Sequence, residues 1–220
     1  MPRSQEFGFY MENLVRTKVH GLPEKANDTG IHDILKEENR LDPTETQSIK
    51  TTGGNSIDCA DVLRMFDYDR NEKHTMIVFC YEQDGEIRKV KETLEIFLTK
   101  ELMAILFGTI TRVQIQELDT YVKSIPKHAC TPEHRVNYKK MSKDMHVLSG
   151  GWISYAPKVD SKTQRRVQCS IRDLDTFLAK YPQFVKRTPG CSVRGIELPS
   201  EHAFGRRLRN TRQPQDSAPH

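Results

Sequence analysis

At 220 residues, with 36% hydrophobic and 29% charged side chains, the chain has room for one medium domain with a buried core and too little for two full ones. Its longest apolar runs, residues 76–81 and 102–107, fall far short of the ~20 residues that cross a bilayer, and residues 1–6 lack the apolar stretch of a secretory signal. These features predict an intracellular, cytoplasmic chain with five reduced cysteines. The cysteines are scattered without a Cys-x-x-Cys pair, and Cys130 with His134 would supply only two zinc ligands.

The net charge of +4 hides an asymmetry. Residues 1–110 hold 14 Lys+Arg against 20 Asp+Glu, whereas residues 111–220 hold 20 against 10. A basic half beside an acidic half suits a protein that holds a polyanion with one part and a divalent metal with carboxylates in the other.

In chain order, Phe7, Tyr10, Met11, Leu14 and Val15 recur at helical spacing, which predicts a helix over 7–18 that carries Glu12 and stops at Gly21-Leu22-Pro23. Residues 31–35, a short apolar run interrupted by Asp33, read as a strand. Residues 47–52, ended by Gly53-Gly54-Asn55, read as a second. The pattern over 57–66 fits helix and strand equally. β-Branched and aromatic residues on either side of Asp84-Gly85 predict a hairpin over 75–98. Helices are expected over 99–107 and 111–125, the latter stopped by Pro126. Residues 127–146 are polar and basic and carry no assignment, and Ser149-Gly150-Gly151 reads as a chain reversal ahead of Trp152, read as a core residue. Strands are expected over 152–155 and 166–171, then a helix through Leu174, Phe177 and Leu178 capped by Ser170, and a late strand over 193–198. Residues 205–220, arginine-rich and nearly free of apolar side chains, should be disordered when unbound.

An acid on one strand and a lysine on the next, Asp33 and Lys50, form the arrangement from which metal-dependent nucleases are built. Phosphodiester hydrolysis needs a cation against the charge of the phosphorane, an activated water and help for the leaving oxygen. Asp33 is a candidate Mg²⁺ ligand, since that ion prefers hard oxygen donors, and Lys50 a candidate to orient or help deprotonate the water. Glu12 can complete the metal site, with the Ile49 carbonyl as a further ligand. Asp58, Asp61 and Glu82 are competing acids, of which Asp61 and Glu82 are better explained as caps or strand-end residues facing water.

The run Gln47-Ser48-Ile49-Lys50-Thr51-Thr52, preceded by Asp33, resembles the PD-(D/E)XK signature of type II restriction endonucleases, in its EcoRV-like form with an Ile-Lys-Thr-Thr ending. The resemblance covers about twenty residues, with the preceding helix and following hairpin compatible in order. It implies a restriction-endonuclease-like α/β fold with a central mixed sheet flanked by helices, Mg²⁺ on Asp33, and Lys50 as the motif lysine. Ser48 stands where the family's second acid stands, and His32 where its proline stands. A palindromic DNA site would imply a symmetric homodimer.

DNA contact is expected from Thr51 and Thr52 after the motif lysine, and above all from residues 157–168, where Lys158, Lys162, Gln164, Arg165, Arg166 and Gln168 suit phosphates and base edges. Residues 123–166 hold ten Lys+Arg against three acids. The resulting expectation is a nuclease core over 1–125, a basic DNA-recognition region of the same domain over 126–204, and a basic tail over 205–220. The function expected is metal-dependent cleavage of double-stranded DNA in a restriction system. Its rivals are a non-catalytic nucleic-acid-binding protein and a structure-specific or homing-type nuclease.

Overall fold

Phe7, Met11 and Val15, four residues apart, are fully buried and form the inner stripe of α1 (Arg3–Leu14), which runs on into a π turn, Val15–Val19. The computed structural model describes residues 3–24, 32–68, 70–159 and 165–203. After α1 come β1 (Glu45–Thr52) and β2 (Ser56–Asp61), joined by the Gly53-Gly54-Asn55 turn. The ambiguous pattern over 57–66 resolves into both elements. Asp61 ends β2 and accepts a hydrogen bond from Arg64 N at 3.0 Å, capping the short helix α2 (Val62–Phe66).

The expected hairpin is present as β3 (Lys73–Asp84) and β4 (Ile87–Phe97), and the two expected helices as α3 (Lys100–Phe107) and α4 (Arg112–Ser124). Thr99 and Thr111 cap them through Leu102 N and Gln114 N. The unassigned basic stretch is a helix, α5 (Pro132–Ser149), capped by Thr131, opened by Pro132 and closed by Gly150 in the left-handed conformation. The reversal after it runs so close to the end of α3 that a Cβ on Gly108, itself at φ +58°, would sit 1.8 Å from the Ser149 carbonyl oxygen.

Next follow β5 (Ile153–Lys158), β6 (Arg166–Arg172), α6 (Leu174–Lys180), β7 (Val185–Pro189), β8 (Ser192–Val193), β9 (Ile196–Glu197) and β10 (Glu201–Ala203). Ser170 does not cap α6. It lies within β6, paired with Asp58 and Ser154, and the helix instead starts at Asp173. The late strand expected over 193–198 is a tight hairpin, β8 and β9, because Arg194 (φ 50°) and Gly195 (φ 87°) reverse the chain.

The central sheet is mixed, in the order β1-β3-β4-β10. β1 runs parallel to β3 and the other pairs are antiparallel, and β7 shares the far edge of β4 with β10. A second, antiparallel sheet is ordered β2-β6-β5, so a strand from the acidic half shares a sheet with two from the basic half and pairs with β6. The larger core fills the space between the sheets, with Met76, Val78, Leu94 and Ile96 facing Ile57, Ile153, Val167 and Ile171 and with α2, α3, α4 and α6 packed around them. The other face of the central sheet, bearing Ile49, Ile77 and Phe79, is covered by α1 and by Cys191 and Val193. Among the described residues no helix is long and apolar enough to cross a membrane, and all five cysteines are free.

Candidate active site

β1 is an edge strand, so alternate residues point their N–H and C=O groups away from β3. Gln47 exchanges both of its groups with Ile34, donating at 3.0 Å and accepting at 3.1 Å. Two residues on, the Ile49 N–H meets a side chain instead of a carbonyl, donating to Asp33 Oδ2 at 2.7 Å. That is why the strand expected over 31–35 is only a single bridge within its described part: the Asp33 carboxylate takes the next edge N–H, and the chain turns away into a short 3₁₀ helix, Lys36–Glu38. Residue 31 lies outside the described residues.

The same carboxylate oxygen stands 3.9 Å from Lys50 Nζ, in a pair whose side chains are 17% and 25% exposed, enough burial to weaken solvent screening. Asp33 is pinned through its backbone as well. Its N–H donates to the Gln47 carbonyl at 2.9 Å, and its carbonyl accepts from Arg16 Nη1 at 2.7 Å. The Ile49 carbonyl opens on the edge where Asp33 sits, since a strand residue presents both backbone groups to one side.

Beside the pair lies a cluster of rings. Ser48, buried to 1% exposure, hydrogen-bonds the Tyr68 phenol, and burial pushes Tyr68 up to about 12, so it stays protonated. The rings of His32, Tyr68 and His74 are 4.6 to 5.2 Å apart. His74 Nδ1 lies 2.6 Å from Thr46 Oγ1. Burial, with help from His32 and Lys50, lowers His74 to about 3, which leaves it neutral at pH 7, and burial lowers His32 as well. His32 Nδ1 and His74 Nε2 are buried and have no hydrogen-bond partner among the described residues.

The expected site residues are thus partly assembled. Asp33, Lys50, Ser48 and the Ile49 carbonyl share one stretch of strand edge. Glu12 lies on α1, the helix covering the Ile49 face of β1, where Gly8 sits over Thr51. Thr52 uses its hydroxyl within the turn, donating toward the Gly54 and Ser56 carbonyls and accepting from Gly54 N. Of the competing acids, Asp61 is the α2 cap and Glu82 is an exposed partner of Lys91 at 2.9 Å. Lys158 is exposed at the end of β5, opposite Arg166. Arg166 and Gln168 face outward, on the side of β6 opposite the buried Val167, and Arg165 reaches back to the Ile125 carbonyl. Lys162 and Gln164, like residues 205–220, lie outside the described residues.

Among the described residues no three His, Cys, Asp or Glu side chains converge as a metal-binding group. A Mg²⁺ ion does not need such a group, because it keeps several waters and is commonly held by one or two carboxylates plus substrate phosphates. One carboxylate and one backbone carbonyl on a partly exposed edge fit that donor set. The ring cluster escaped the sequence reading because Tyr68 and His74 carry no spacing signal toward position 33. Helix α5 was signalled by Thr131-Pro132 at its start and Gly150 at its end. No protein-family model, curated protein or solved structure matches this chain.

Proposed function

We propose that the chain is a Mg²⁺-dependent DNA endonuclease of the PD-(D/E)XK kind, with a restriction-endonuclease-like fold, probing double-stranded DNA for a specific site as a homodimer in a restriction system. The observation that carries the reading is the placement of Lys50 Nζ 3.9 Å from Asp33 Oδ2 at an open strand edge, with the Asp33 carboxylate oriented by Ile49 N–H. Asp33 and the Ile49 carbonyl would hold the metal, with Glu12 as the nearest acid on α1. Bound Mg²⁺ supplies charge against the phosphorane and lowers the pKa of its water. The Lys50 ammonium, held beside the carboxylate, donates hydrogen bonds to the attacking water or a phosphate oxygen and so orients the nucleophile. Ser48 acts through Tyr68, keeping the phenol in place behind the strand.

A second reading, a nucleic-acid-binding protein without catalysis, is favoured by the same hydrogen bond. Asp33 Oδ2 is already engaged by the backbone, and Ser48 brings no second carboxylate. Incubating the chain with plasmid DNA in Mg²⁺ and in chelator decides between them. Discrete fragments in Mg²⁺ alone support the nuclease. Asp33→Ala and Lys50→Ala are each expected to slow cleavage on the order of a hundredfold or more while duplex binding persists, because their work is at the scissile phosphate. Ser48→Ala should slow it far less. Intact plasmid under all conditions, or wild-type cleavage by both alanine variants, would remove the nuclease reading.

A further inference from the structure

Helix α5 meets β5 through two side chains: Ser142 donates to the Tyr155 carbonyl, and His146 Nδ1 lies 3.1 Å from the Ile153 carbonyl. Beside this contact the helix and strand leave a groove of about 470 Å³, lined among others by Tyr138, Lys139, Lys143, His146, Ser154 and Arg172, with no Asp or Glu in its wall. Lys139 and Lys143 are one turn apart and so share a helix face. Arg172 arrives from β6, where Val167, Cys169 and Ile171 are buried and the intervening side chains face out. Lys139, Lys143 and Arg172 have no ion-pair partner among the described residues. Of the nearby acids, Glu117 and Asp144 line a separate cleft between α5 and α4, while Asp58 on β2 and Asp173 after β6 are exposed outside the groove wall.

Cations gathered in one groove without a counter-charge repel one another until an anion fills it. The groove is open, and beyond it the outer face of the same sheet carries Lys158 beside Arg166. An extended polyanion can follow such a path, whereas a small anion has no closed pocket to favour it. We infer that this groove seats the phosphate backbone of double-stranded DNA, with Lys139, Lys143 and Arg172 as its main contacts. The inference rests on the nucleic-acid part of the function proposed above and is independent of cleavage.

The test is binding of the full chain to a labelled random-sequence duplex, followed by fluorescence anisotropy in chelator at several KCl concentrations. A Lys139→Glu/Lys143→Glu/Arg172→Glu variant is expected to bind at least about a hundredfold more weakly and to lose about three units of salt slope, at about 0.9 per phosphate contact. A control of equal charge change, Lys36→Glu/Lys73→Glu/Lys89→Glu, alters cations that already have carboxylate partners and should stay within about threefold of wild type. If the triple variant loses its circular dichroism signal, Lys143→Ala is read instead, with about one unit of slope expected to be lost. The inference is overturned if the wild type does not bind duplex, if the groove variant binds like wild type, if both triple variants lose affinity equally, or if heparin of matched charge competes as well as DNA. Because the measurement needs neither Mg²⁺ nor Asp33, a failure of the nuclease reading leaves its outcome legible.

Discussion

On one face of the central sheet, Met76, Val78, Leu94 and Ile96 pack against the second sheet as an apolar layer. On the other, Glu45 at the start of β1 and Glu95 near the end of β4 are buried to 4% and 2% exposure and are bridged by Arg194. Arg194 Nη2 donates to both Glu45 oxygens at 2.6 Å, and its Nε donates to Glu95 Oε2 at 3.2 Å. Thr75, Gln47 and Asn39 donate to Glu45 as well, and Gln47 lies 3.0 Å from the buried His20. The guanidinium reaches them from a turn residue at φ 50°, a conformation costing a non-glycine residue about 1–2 kcal/mol. The apolar face is held by a non-directional effect spread over many contacts. The charged cluster on the other face is held by directed contacts from distant positions: Arg194, whose partners are 149 and 99 residues away, and Lys186, which meets Glu95 at 3.2 Å.

Removing a single member separates the two faces most sharply. Arg194→Met should lower the unfolding free energy by about 3–5 kcal/mol in chemical denaturation, because it leaves buried Glu45 without its counter-charge and Glu95 with Lys186 alone, at 3.2 Å. Glu45→Gln added in that background should cost much less than Glu45→Gln alone, as members of one network are not additive. A loss under about 1 kcal/mol for Arg194→Met would mean that solvent reaches the network and that it behaves as a surface pair. On the apolar face, Leu94→Ala should cost about 3 kcal/mol through lost transfer energy and a residual cavity, and that cost should not change with added salt. A salt-dependent cost would show that the cavity disturbs the charges on the opposite face.

The third expected effect, spread over several pH units, is a pH dependence at the buried His74 of β3. His74 titrates at about 3 in the folded chain and near 6.5 when unfolded, so the unfolded state takes up the proton first. Its contribution is fully present above about pH 6.5 and is lost at up to about 1.4 kcal/mol per pH unit as the pH falls toward 3. Replacing the imidazole with a neutral amide, His74→Asn, should flatten this slope between pH 6.5 and 4. An unchanged slope would place the acid sensitivity elsewhere, with the buried His20 next in line.

Strands β3 and β4 and helices α3 and α4 were legible because their signals are local: a β-branched run around Asp-Gly, threonine caps, and Pro126 as a stop. The pairing of Asp33 with Lys50 was legible as an acid and a lysine on adjacent segments, but not its form. A strand pattern over 31–35 does not reveal that a carboxylate will replace the ladder after one bridge, because an Asp side chain and a carbonyl compete for the same N–H. The strand pattern over 193–198 likewise concealed a two-residue reversal, since Arg at φ > 0 is disfavoured until its guanidinium has somewhere to go.

Composition and periodicity by themselves determined a mixed α/β chain, the central hairpin, the helices α3 and α4 that follow it and the contrast between an acidic and a basic half, since each follows from residues within a few positions of one another. Only the tertiary structure decided which charges are buried and which line a groove. Glu45, Glu95 and Arg194 share a charged character with Lys139, Lys143 and Arg172 but end in different environments, the two glutamates buried against the Arg194 guanidinium from the β8–β9 turn and the basic trio open to solvent. The cost of burying a charge depends on whether a partner and hydrogen-bond donors arrive from distant parts of the chain, and that is a property of the folded arrangement.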